Sequence, residues 1–203
     1  MSEQQLIHEL VASSGESARA TIDRLRVRLV TDAERRGLLD IAYRVVDSPI
    51  GPLLLAATRE GLVRVAFEGE GHDAALGVLA ERISSRILLA PSRLDAPARQ
   101  LGEYFDGVRR QFDLALDLRL ARGFRRRVLD HLRAIPYGTT SSYTTVAAAA
   151  GSPAAVRAVG SACATNPVPV VVPCHRVVRS DGAIGQYLGG AGAKRALLAL
   201  EAR

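Results

Sequence analysis

Three short apolar runs, each closed by a tight turn, constrain this chain most. Ile41 to Val46, Leu53 to Thr58 and Leu62 to Phe67 are separated by Ser48-Pro49-Ile50-Gly51-Pro52 and by Arg59-Glu60-Gly61. Runs this short, rich in β-branched residues and bounded by Pro and Gly, form strands rather than helices. The turns leave room only for an antiparallel meander. Residues 73–83 then read as a helix, 86–89 as a short strand and 95–106 as a helix ending at Gly107. Phe112 to Leu118 alternates like an edge strand. Residues 41–118 are therefore expected to form a small α+β domain on an antiparallel sheet. The chain has no Trp and few Tyr and Phe, so its core must be built from Leu, Val, Ile and Ala.

Residues 1–40 differ. Leu6, Ile7, Leu10 and Val11 have helical spacing, and so do Ile22, Leu25, Leu29 and Val30, with Ser13-Ser14-Gly15 between them. Thr31-Asp32 could cap a further short helix through Leu39. No chemistry is legible in this stretch, which reads as an accessory helical extension, packed on the domain that follows or partly mobile.

From residue 119 onward the chain turns helical and basic. Residues 1–120 hold 16 Arg against 18 acids, whereas residues 121–203 hold 10 Arg and one Lys against three acids. The net charge of +6 thus resides in the second half. A basic segment of that size fits a polyanion, and nucleic acid is the favoured partner. Phe124 to Ala134 reads as a helix with Val128, Leu129 and Leu132 on its apolar face. Arg125, Arg126 and Arg127 crowd its first turns, where cations oppose the helix dipole, so a phosphate partner explains them better than local stability. Ile135-Pro136-Tyr137-Gly138 breaks that helix. Ser141 or Ser142 can cap a helix over Tyr143 to Ala150, Gly151-Ser152-Pro153 makes a short turn, and a second helix runs from about Pro153 to Ala164. This is the helix-turn-helix pattern. Ala158, Gly160, Ser161 and Ala162 give the second helix a slim profile, with Arg157 as its one charged side chain.

Pro173-Cys174-His175-Arg176-Val177-Val178 sets a thiol beside an imidazole, between the Asn166-Pro167 turn and a glycine-rich stretch from Gly182 to Gly192. Sulfur attacks as the thiolate, and a nearby base can supply it. The only other cysteine, Cys163, reads as a small buried thiol. Two cysteines are too few for a disulfide scaffold, the first ten residues lack the features of a signal peptide, and no apolar run approaches the roughly 20 residues of a membrane span. A cytoplasmic protein with no membrane contact is expected. The lone His72 carries no metal-ligand spacing, and no metal site is expected.

Ile135-Pro136-Tyr137-Gly138, Ser142-Tyr143, Arg157-Ala158-Val159-Gly160, Asn166-Pro167, Pro173 to Val178 and Gly185-Gln186-Tyr187-Leu188-Gly189-Gly190 stand in one order. Together they resemble the methylated-DNA–protein-cysteine methyltransferases, the 6-O-alkylguanine-DNA alkyltransferases. The resemblance covers roughly residues 41–203. In the first domain it rests on Asp47-Ser48-Pro49-Ile50-Gly51 and Gly61-Leu62. It implies a ribonuclease-H-like first domain and a winged-helix-like second one. It also implies direct reversal of DNA damage, in which an alkyl group on the 6-oxygen of guanine, and on the 4-oxygen of thymine, moves once and irreversibly onto the protein's own cysteine without a cofactor.

The same resemblance distributes roles. Cys174 is the acceptor, His175 the base, Glu201 the carboxylate that orients His175, and Tyr143 the tyrosine beside the flipped base. Arg157 fills the space that the base leaves. Arg125, Thr144, Ser152 and Ser180 contact the DNA backbone; Arg125 stands where relatives have a small hydroxyl residue. Asn166 braces the turn before the active-site strand, backbone groups of Cys174 and Val177 read the base edge, and Tyr187 and Leu188 wall the pocket. Leu188 replaces the small or hydroxyl residue expected there. If 174–178 is extended, neighbouring side chains point to opposite faces, so His175 reaches Cys174 through water. Double-stranded DNA is entered through the minor groove by a monomer, with cooperative binding along DNA left open. The competing readings are a non-catalytic alkylated-DNA-binding protein on the same scaffold and a helix-turn-helix regulator with a redox cysteine. Cys174 argues against the first, and the Pro-Cys-His-Arg run with Glu201 against the second.

Overall fold

The computed structural model describes residues 21–202. The expected helix around Leu6 to Val11 lies outside them. Helix α1 covers residues 21–35. Thr31 and Asp32 sit inside it rather than capping a second helix: the Thr31 hydroxyl donates to the Val27 carbonyl one turn back. Ala33 is buried and Val30 packs on the core, while Ile22, Leu25 and Leu29 are exposed. Of the four residues that the apolar spacing singled out, Val30 alone packs on the core. An ion pair from Arg93 to Glu34 at 2.9 Å ties the helix to the first domain.

The three leading strands are β1 (Ile41–Val46), β2 (Leu53–Ala57) and β3 (Leu62–Phe67), paired antiparallel as their turns require. Central β2 is buried along its whole length, and the two-residue period sorts its side chains. Leu53, Leu55 and Ala57 join the main core, whereas Leu54 and Ala56 face a smaller core with Ala75 and Leu79 of α2 (His72–Arg82). The fourth strand, β4 (Ile87–Leu89), pairs parallel with β1, so the sheet order is β3-β2-β1-β4 and the sheet is mixed at that edge. Helix α2 carries the chain back to the end of the sheet where β3 began, so β4 runs in the same direction as β3 and β1. Helix α3 (Asp95–Phe105) follows. Phe112 to Leu118 forms no strand. Its contact with the sheet is one bridge, Leu116 to Leu62, flanked by hydrogen bonds from the Leu62 amide to Ala115 and from the Asp117 amide to the Leu62 carbonyl.

The second domain holds α4 (Gly123–Leu132), the two-residue strand β5 (Ser141–Ser142), α5 (Tyr143–Ala149), α6 (Val156–Ala164), the two-residue strand β6 (Val177–Val178) and α7 (Gly190–Glu201). Ser142 is the cap of α5, its hydroxyl oxygen accepting from the Thr145 amide at 3.0 Å. The turn between α5 and α6 is longer than its sequence suggested. Pro153 lies in that turn and not in α6, because the Ser152 amide bonds back to Ala147 and the Ala155 amide to Ser152. Strands β5 and β6 pair parallel, Ser141 with Val177 and Ser142 with Val178, which places the start of α5 beside the end of the Cys174 segment.

The main core is continuous across both halves, from Leu53 and Phe67 through Leu101 and Tyr104 to Val128, Val146, Val159 and Cys174. The Val65 amide on the outer edge of β3 donates to the Pro167 carbonyl at 2.8 Å, so the sheet edge is covered by the loop that leads to the cysteine.

Candidate active site

Cys174 is 2 % exposed and occupies a one-turn 3-10 helix, Cys174–Arg176. The expected extended geometry fails here because the Arg176 amide closes a turn onto the Pro173 carbonyl. Upstream, Asn166 is fully buried and holds the connecting loop from three sides. Its side-chain amide donates to the Val172 carbonyl at 2.8 Å and to Cys174 Sγ at 3.2 Å, and its carbonyl oxygen accepts from the Val168 amide at 3.0 Å. Within that loop Val170 has a φ of 72°, a left-handed conformation that a β-branched residue adopts only when its surroundings impose it.

His175 is fully buried, and its Nε2 lies 2.9 Å from Glu201 Oε1 near the end of α7. Glu201 also accepts from Arg176 through Nε to Oε2 and Nη2 to Oε1, both at 2.9 Å, from the Gly138 amide at 3.2 Å and from the Tyr104 hydroxyl at 2.6 Å. Arg176 Nη1 donates to the Ile135 carbonyl. The cation, the carboxylate and the imidazole therefore form one buried hydrogen-bonded group. Burial alone would raise the Glu201 carboxyl; the hydrogen bonds from His175, Arg176 and Tyr104 overcome it and hold the group at about 2. Burial keeps the imidazole below its ordinary range against the pull of Glu201, so His175 is neutral at pH 7. Its Nδ1 is buried, and no group among the described residues hydrogen-bonds it.

Burial also governs the thiol. It pushes Cys174 up to about 11, against the Asn166 hydrogen bond and the charge of Lys194. At pH 7 the resting thiol is therefore neutral and must lose its proton to react. Lys194, on α7, is fully buried and donates to the Val177 carbonyl at 2.6 Å. The amide of Cys174 is bonded to Val172 and that of Val177 to Cys174, so only carbonyl lone pairs remain for a base edge.

A cleft of roughly 750 Å³ lies beside this group, with Cys174 itself outside its lining. Tyr143, Gly160, Cys163, Gln186, Tyr187 and Leu188 are among the residues that line it. Tyr143, Cys163 and Tyr187 all lie near enough to Cys174 that a thiolate there would oppose their own ionisation. Tyr143 is half-buried and its phenol is raised by burial, so it is a neutral donor. Tyr187 packs edge-on against His175 and against Phe67 of β3. Gly189 is required by that packing: a β-carbon there would lie 2.6 Å from the Phe67 ring.

Several residues singled out in the sequence face solvent instead. Arg157, Thr144, Arg125 and Ser180 are exposed and Ser152 is half-buried. No ion pair holds Arg157 or Arg125 among the described residues. The three arginines of α4 are not equivalent. Arg126 pairs with Asp130 and Arg127 donates to the Ala150 carbonyl, which leaves Arg125 as the free one. Cys163 is a buried free thiol. Among the described residues no group of three or more His, Cys, Asp or Glu could hold a metal ion, and no helix is long and apolar enough to cross a membrane.

Sequence reasoning missed Tyr104, Arg176, Lys194 and Gly138 as parts of this group. Gly138 carried a signal, since a Pro-Tyr-Gly break invites a left-handed glycine. Its φ is 73°, and a β-carbon would meet the Glu201 carbonyl oxygen at 2.9 Å. Gly138→Ala is expected to cost about 1–3 kcal/mol of stability, read as a lowered urea midpoint with an unchanged slope.

A small mixed-sheet domain, a helix-turn-helix domain and a buried Cys–Asn, His–Glu–Arg group define a class, and comparison with known proteins agrees. Residues 41–118 match the ribonuclease-like domain, and residues 123–203 the DNA binding domain, of 6-O-methylguanine DNA methyltransferase. The chain belongs to this family. It is 42 % identical over 163 residues to the methylated-DNA–protein-cysteine methyltransferase of Mycolicibacterium paratuberculosis, covering 80 % of this chain and 93 % of that one. The constitutive methylated-DNA–protein-cysteine methyltransferase of Bacillus subtilis is 35 % identical over 147 residues, covering 72 % of this chain and 86 % of its own. Among solved structures, Mycobacterium tuberculosis OGT in complex with DNA superposes with a TM-score of 0.69 at 39 % identity, covering 79 % of this chain and 92 % of that one.

Proposed function

We propose that this chain is a DNA-repair methyltransferase that takes an alkyl group from the 6-oxygen of guanine in duplex DNA onto Cys174, once and without a cofactor. The observation that carries the reading is the buried thiol, hydrogen-bonded by Asn166, beside a His175 whose Nε2 is committed to Glu201. When Nε2–H donates to the carboxylate, Nδ1 keeps its lone pair and can accept a proton. The thiol proton leaves toward Nδ1 through a bridging water. Sulfur then forms its bond to the alkyl carbon, and the carbon–oxygen bond breaks with its electron pair passing to the base. The Tyr143 phenol donates to the ring nitrogen and is reprotonated from the relay, so the thiol's proton ends on guanine. The 4-oxygen of thymine offers the same bond beside a ring nitrogen and is a second substrate.

The attacked carbon lies inside the base stack, so the base must first turn out into the cleft. The slim face of α6 enters the minor groove, Arg157 takes the vacated space, and Arg125, Thr144, Ser152 and Ser180 hold phosphates. The carbonyls of Cys174 and Val177 accept from the base's amino group, with Tyr187 and Leu188 as walls. Recognition of this kind is largely independent of sequence. The protein acts as a monomer in the cytoplasm.

A duplex carrying guanine labelled in its methyl group tests this. Label should appear on Cys174, at no more than one equivalent per chain, with the base restored. Binding without transfer would leave a DNA-binding protein on the same scaffold; transfer beyond one equivalent would overturn the single-use reading. Arg157→Ala should slow transfer from duplex by about tenfold or more while transfer from the free methylated base stays within about twofold, because only the duplex carries the few kcal/mol of unstacking. Equal losses on both substrates would remove Arg157 from that role.

A further inference from the structure

Tyr104 is the one member of the buried group that comes from the first domain. It sits on α3, fully buried, with its ring packed against Phe105, Phe112 and Tyr137. Its hydroxyl lies 2.6 Å from Glu201 Oε1 and 3.5 Å from His175 Nε2. Both distances concern the same pair: Oε1 is the oxygen that faces Nε2. We propose that Tyr104 is a positioning residue for alkyl transfer, one that fixes Glu201 and through it the tautomer of His175.

The argument is one of donors and acceptors. The phenol has one proton, and two groups within reach could take it: the carboxylate and the imidazole nitrogen. Given to Oε1, it leaves Nε2 as the donor to Glu201 and Nδ1 bare. Given to Nε2, it would force the imidazole proton onto Nδ1, which could then no longer accept from the thiol side. The shorter contact to a charged oxygen decides for the carboxylate. A second consequence concerns basicity. Glu201 and Lys194 act on His175 from α7, Cys174 and Arg176 flank it in the chain, Tyr104 faces it from α3, and the Tyr187 ring packs edge-on against it. Among these, Glu201 alone is negative. A donor taken from it exposes more negative charge to the imidazole and favours the imidazolium.

This inference rests on the reading of Cys174 as acceptor and His175 as base. Tyr104→Phe keeps the ring and removes only the hydroxyl. The expected result is a fall of about tenfold in the single-turnover rate with DNA affinity unchanged, and an acid limb of the pH–rate profile moved to higher pH. A purely structural role would lower the denaturation midpoint and leave the profile of the folded protein where it was. Wild-type transfer with an identical rate and profile in Tyr104→Phe would overturn the inference about Tyr104 alone. Failure of the wild-type chain to label Cys174 would overturn the reading of the site and this inference with it. A measurement on the unaltered protein is independent of how the variant folds: nitrogen NMR of the imidazoles should find His175 protonated on Nε2 and bare on Nδ1. The opposite tautomer would overturn the proposal.

Discussion

Replacing Cys174 with Ala is expected to abolish methyl transfer and to leave binding to a methylguanine duplex intact. The chemistry has no second route. Cys163 is 8 % exposed, and burial raises its thiol far above the ordinary range. It also lacks the Asn166 amide that points at Cys174 Sγ. The stability cost should be small, about 1 kcal/mol, because the substitution frees one N–H of Asn166 while its bond to the Val172 carbonyl remains. Label transfer under single-turnover conditions, with anisotropy titration of the same duplex, separates the two effects. Residual transfer that appears on Cys163 or elsewhere would remove Cys174 as the acceptor; loss of binding would show that the thiol supports the DNA surface.

Glu201→Ala should have the largest effect on stability. It strips the partner from Arg176 Nε and Nη2, from His175 Nε2, from the Gly138 amide and from the Tyr104 hydroxyl at once. Removing one side of a buried ion pair costs about 3–5 kcal/mol, a large share of the roughly 5–15 kcal/mol that holds a domain folded. The pH dependence has a definite sign. The folded-state carboxyl is held at about 2, below its ordinary 4.5, so its contribution is complete above about pH 4.5 and is lost as pH falls toward 2. Wild-type stability should therefore drop through that window, and the drop should be shallower in Glu201→Ala. A variant with the wild-type urea midpoint would show that the carboxylate is not a keystone of the fold.

Much of the site was legible in the chain because its chemistry is carried by short segments. Cys174 and His175 stand together in one contiguous motif whose residue types already point to thiol chemistry. The roles expected of Asn166, Tyr143 and Glu201 came through resemblance: nothing in Leu198-Ala199-Leu200, for one, distinguishes Glu201 from a solvated terminal charge. Tyr104 gave no signal at all, since its function depends on a contact between α3 and α7 that no local pattern encodes.

The same division runs through the fold. Short apolar runs and turn chemistry alone determined that 41–67 would be three antiparallel strands, because run length and Pro-Gly punctuation act within a few residues. Only the tertiary structure decided that β4 pairs parallel with β1, that the backbone of Phe112 to Leu118 pairs with the sheet through a single bridge, and that α1 buries Ala33 and half-buries Val30 while Ile22, Leu25 and Leu29 stay exposed. It also decided the state of the thiol. The sequence placed a base next to Cys174 in the chain. Packing turned that base toward Glu201, and burial kept the sulfur protonated, because the cost of a charge depends on what surrounds it rather than on what precedes it.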